Sequence, residues 1–75
     1  MYLYEICSQV IIQGNICIKV FHNGQEKDSR YYRDMDDFDS FSADIDDLEE
    51  CELRYIYPSK ACDGTQWLVI EVAEV

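Results

Sequence analysis

Ten carboxylates fall within nineteen residues of this chain: Asp34, Asp36, Asp37, Asp39, Asp44, Asp46, Asp47, Glu49, Glu50 and Glu52, with no Lys or Arg among them. Carboxylates at that density have three chemical uses: proton transfer, binding of a hard divalent cation, and contact with a cationic surface. Proton transfer needs a cleft that shifts a carboxyl pKa, and a segment facing water offers none. Asp34-Met-Asp36-Asp37-Phe-Asp39 and Asp44-Ile-Asp46 supply oxygen ligands. Neither has the glycine that gives an EF-hand loop its sharp turn, so weak, non-specific divalent binding is expected rather than a dedicated site. Other catalytic constellations are missing as well. The single histidine, His22, sits beside Asn23-Gly24 and reads as a turn-flanking residue, not a base beside a nucleophile. Gly14, Gly24 and Gly64 are scattered among turn residues and make no phosphate loop. The expectation is a protein with no enzymatic activity and no cofactor, leaving contact with a cationic surface as the use of the acidic run.

The charge is local. The chain carries 16 acidic and 6 basic residues for a net charge of −10, and outside the acidic run six acids balance six bases. Such a segment is a directed field, and its self-repulsion costs stability, so a purely structural role explains it poorly.

The 75 residues form one expected domain, 1–75, and a hydrophobic fraction of 48% is too high for a disordered acidic tail. Tyr2 to Ile12 alternates with strand periodicity: Tyr2, Tyr4, Ile6, Val10 and Ile12 on one face, Leu3, Glu5, Cys7, Gln9 and Ile11 on the other. After Gln13-Gly14-Asn15, the run from Ile16 to His22 alternates again. Asn23-Gly24 is a two-residue hairpin signal, because both residues tolerate positive φ, and it predicts a third strand over Glu26 to Tyr32.

Within the acidic run the period changes. Met35, Phe38, Phe41, Ile45 and Leu48 recur at helical spacing, and most acids fall on the opposite side of the wheel. Aspartate is a weak helix former and Glu49-Glu50 would sit at the unfavourable end of the helix dipole, so either one helix or two pieces, the second capped by Ser42, fits the pattern. Strands are expected at Cys51 to Tyr57 and Gln66 to Glu74, separated by a loop from Pro58 to Thr65. The expected fold is α+β: a single antiparallel sheet in the order β-β-β-α-β-β, with one acidic amphipathic helix packed across one face. The terminal strand is a candidate sheet edge, so monomer and homodimer both stay open.

Cys7, Cys17, Cys51 and Cys62 have long, irregular gaps without paired spacing. No basic leader precedes an apolar stretch, and none approaches a membrane span. Reduced thiols, no metal site and a cytoplasmic location without membrane contact are expected.

The acidic face repels phosphates, so direct binding of nucleic acid is not expected. The inverse is better supported. A nineteen-residue helix is about 28 Å long at ~1.5 Å per residue, and ten carboxylates on it give roughly one charge per 3 Å, near the ~3.4 Å spacing along a DNA strand. The run Asp34 to Glu52 on a small neutral body resembles the acidic DNA-mimic inhibitors of phages and mobile elements, which include anti-restriction and anti-CRISPR proteins. This resemblance implies a stoichiometric inhibitor that blocks a basic nucleic-acid-binding protein or nuclease complex, in the cytoplasm of a bacterial host if phage-encoded. The residues expected to stand in for phosphates are Asp36, Asp37, Asp39, Asp44, Asp46, Asp47 and Glu50, with Glu49 and Glu52 at the rim and Tyr31 and Tyr32 as aromatic anchors. The alternative is a small interaction or regulatory module whose acidic helix is only a solvated face.

Overall fold

Asn23 and Gly24 turn the chain with φ of 54° and 80°, left-handed values that other L-residues resist. They join β1 (Ile16–His22) to β2 (Gln25–Tyr32) in an antiparallel pair with His22 opposite Gln25. A second antiparallel pair joins β3 (Glu52–Lys60) to β4 (Gln66–Ala73). The computed structural model describes residues 1–7, 14–33, 43 and 46–74.

The two hairpins form one four-stranded sheet in the order β2-β1-β4-β3, with β1 and β4 parallel at its centre. This corrects the expected single antiparallel sheet. Strand composition gives a physical reason. β1 and β4 are the most apolar strands, Ile-Cys-Ile-Lys-Val-Phe and Trp-Leu-Val-Ile-Glu-Val, and central parallel strands are covered on both faces. The polar sequence Gln-Glu-Lys-Asp-Ser-Arg of β2 suits an edge. β3 forms the other edge and carries Pro58, whose missing N–H a central strand would need. β4 is therefore not the edge that was expected, and Lys19 and Glu71 are registered neighbours in the parallel pair. β2 and β3, the two edges, run in the same sense.

The expected first strand is also corrected. Tyr2 makes a single antiparallel bridge to Glu52, and Leu3–Cys7 is a five-residue helix, α1. Residues 8–12 of that expected strand lie outside the described residues. Alternation over so few residues does not separate the two periods, and tertiary contact decides: Leu3 is fully buried and donates its N–H to the Cys51 carbonyl at 3.0 Å.

A continuous helix from residue 34 to 52 is likewise contradicted. Ala43, Asp46 and Asp47 have helical backbone, residues 48–50 form a turn, and Glu52 already belongs to β3. Acids crowding the C-terminal end of a helix favour such an early stop. Most of the apolar stripe (Met35, Phe38, Phe41 and Ile45) lies outside the described residues.

Ile16, Ile18 and Val20 of β1 and Ile70 and Val72 of β4 form the core on one sheet face, closed by Leu3, Tyr32, Leu48 and Cys51. The opposite face carries Cys17, Lys19, Val69 and Glu71, flanked in register by Tyr31 and Tyr57. Among the described residues no helix is long and apolar enough to cross a membrane.

Candidate interaction surface

Two short segments, residues 1–5 and 47–53, meet at the start of β3. Leu53 donates its N–H to the Met1 carbonyl at 2.7 Å, Leu3 reaches Cys51, and Cys51 closes its own turn on the Leu48 carbonyl at 2.9 Å. Leu3, Leu48 and Cys51 point into the core, so the residues between them are turned outward. Asp46, Asp47, Glu49 and Glu50 are all exposed. Tyr2 and Tyr4 flank Leu3 and are 40% and 44% exposed, with near-parallel rings 6.1 Å apart. Together with Glu49 and Glu50 these rings line a cleft of about 430 Å³.

The ion pairs leave this region uncompensated. Lys19 pairs with Glu26 at 3.8 Å, Lys27 with Glu74 at 2.7 Å, Arg30 with Asp28 at 3.2 Å and Arg54 with Glu52 at 3.5 Å. Lys19, Lys27, Arg30 and Arg54 are thus matched to acids on the strands or at their ends. Among the described residues none pairs with Asp46, Asp47, Glu49 or Glu50. Glu74 also faces His22 Nδ1 at 3.4 Å, and the Lys27 ammonium, followed by His22, holds its carboxyl below the usual range.

The other expected contact residues are dispersed. Asp36, Asp37, Asp39 and Asp44 lie outside the described residues. Glu52 is half-buried in β3 and paired with Arg54. Tyr31 is 60% exposed on the far sheet face, edge-on to Trp67 at 5.4 Å. Tyr32, at 5%, is a core residue, so its ring is not presented to a partner. The aromatic neighbours of the acidic turn are instead Tyr2 and Tyr4. Their alternation had placed them on a sheet face, and no local signal connects them to residues almost fifty positions away.

Tyr57 donates its hydroxyl to Glu71 Oε2, and this bond to a carboxylate pushes the phenol pKa up to about 12. Cys17 and Cys51 are free and buried, and burial raises both thiols, whereas Cys62 is free and exposed. Among the described residues no three potential ligands cluster to hold a metal ion.

Comparison with family models, curated proteins and solved structures finds no match to this chain.

Proposed function

We propose that this protein is non-catalytic and acts by contact, laying its acidic segment on the basic nucleic-acid-binding surface of a partner in the manner of anti-CRISPR or anti-restriction mimics. One observation carries the proposal: Asp46, Asp47, Glu49 and Glu50 are exposed and, among the described residues, uncompensated, while Lys19, Lys27, Arg30 and Arg54 are matched to acids elsewhere. The evenly charged nineteen-residue rod no longer contributes, because the helix does not run to residue 52. What remains is a concentrated patch on a folded base, with a net charge of −10 for the chain. Such a patch steers a cationic partner into contact and competes with phosphate for its lysines and arginines.

Neutralising the patch with Asp46→Asn, Asp47→Asn, Glu49→Gln and Glu50→Gln tests this. The quadruple variant should retain its fold by circular dichroism and lose capture of the basic partner from bacterial lysate. Undiminished capture would mean that the patch is not the contact, and a partner that resists high salt would identify an apolar interaction module instead.

A further inference from the structure

We infer that the cleft between the stacked Tyr2–Tyr4 pair and Glu49–Glu50 is a seat for a single arginine side chain of the basic partner. This deepens the proposed function and rests on it: the partner is cationic, and the cleft selects which cation anchors it.

The chemistry of the walls argues for a guanidinium. Tyr2, Tyr4, Glu49 and Glu50, two phenols and two carboxylic acids by type, line the same cleft of about 430 Å³. Aromatic faces attract cations through their quadrupole, and the planar guanidinium stacks on them more readily than a hydrated ammonium does. Carboxylates accept its N–H groups in pairs, which a lysine cannot match in geometry. Charge complementarity is available because no basic residue described in this chain pairs with Glu49 or Glu50.

The walls are held in place before any ligand arrives. Tyr2 and Tyr4 flank the fully buried Leu3, and the glutamates sit between buried Leu48 and buried Cys51. The Leu3–Cys51 and Leu53–Met1 hydrogen bonds, at 3.0 and 2.7 Å, lock the two segments together. A preformed cleft spares the ordering cost that an acidic tail would bear on binding.

The test uses the full chain and two capped probe peptides of equal length and charge, one alternating arginine with glycine and the other lysine with glycine. Affinity is measured by calorimetry at fixed ionic strength, and the tyrosine ring protons are followed by NMR. The arginine peptide should bind several-fold more tightly than the lysine peptide and shift the Tyr2 and Tyr4 resonances. Tyr2→Leu with Tyr4→Leu should weaken arginine-peptide binding about three- to tenfold, the scale of cation–π contacts at accessible sites. Tyr2→Phe with Tyr4→Phe keeps the rings and should stay within about twofold of the parent.

If the leucine pair binds as tightly as the parent while Asp46→Asn with Asp47→Asn weakens both peptides, the acidic surface stands and the arginine seat falls. If the leucine pair weakens binding and the asparagine pair does not, the seat stands and the broader acidic contact falls. If neither peptide binds the parent protein, both claims are overturned.

Discussion

Tyr57 shows how a single side chain reports on the face of the sheet opposite the core. Its hydroxyl donates to the Glu71 carboxylate, and a phenol bonded this way holds its proton up to about pH 12. A raised folded-state value means that the stabilisation is fully present below the unfolded tyrosine pKa of ~10 and is lost as pH climbs towards 12. An ultraviolet titration should therefore show a tyrosine ionisation near pH 12, and Tyr57→Phe should remove that step while making stability less dependent on pH above ~10. The thiols divide in the same way. Cys62 is exposed, whereas Cys17 and Cys51 are buried with raised thiol pKa, so of these three Cys62 should be alkylated first at neutral pH in a mass-spectrometric time course. At this scale the sequence is legible for residue type and blind to neighbourhood. Asp46, Asp47, Glu49 and Glu50 are exposed as their charge demands. Tyr32 is buried although its neighbour Tyr31 is open, because successive side chains on β2 face opposite sides and Tyr32 lies on the side of the Ile16, Ile18 and Val20 cluster.

Elements defined by local chemistry were legible, and those defined by distant contacts were not. The strand from Ile16 to His22, the Asn23-Gly24 turn and the strands near Glu26, Leu53 and Trp67 all follow from alternation and turn residues acting over a few positions. Gly24 has φ of +80° and faces open space where a side chain would project, so Gly24→Ala should cost only the backbone penalty of ~1–2 kcal/mol, read from denaturant unfolding. Strand order has no such local code. The apolar run Trp67 to Ile70 departs from clean alternation, as a strand covered on both faces does, and this was the available sign that β4 is central rather than an edge. Ile70 is fully buried in that central strand, and Ile70→Ala should destabilise by about 2–5 kcal/mol, a large fraction of the stability of so small a domain. The short helix Leu3–Cys7 escaped detection because one buried leucine and its bond to Cys51, not its own periodicity, set its conformation.

At the scale of the whole molecule, a sheet in which Lys19, Lys27, Arg30 and Arg54 are matched to acids supports a patch of acids that no described base matches. Mutual repulsion within that patch opposes folding and is screened by salt. The variant neutralised at Asp46, Asp47, Glu49 and Glu50 should thus melt at or above the parent temperature in low salt, with the gap closing as salt is added. Stability and binding are expected to move in opposite directions on neutralisation, the mark of charges kept for contact rather than for the fold. The most direct test of that contact is affinity capture from bacterial lysate at low salt, with parallel elutions by a salt gradient and by duplex DNA or RNA at constant salt. A single nucleic-acid-binding protein or complex, released by both and not retained by the neutralised variant, is the predicted result. A partner held through high salt and indifferent to added nucleic acid would contradict it.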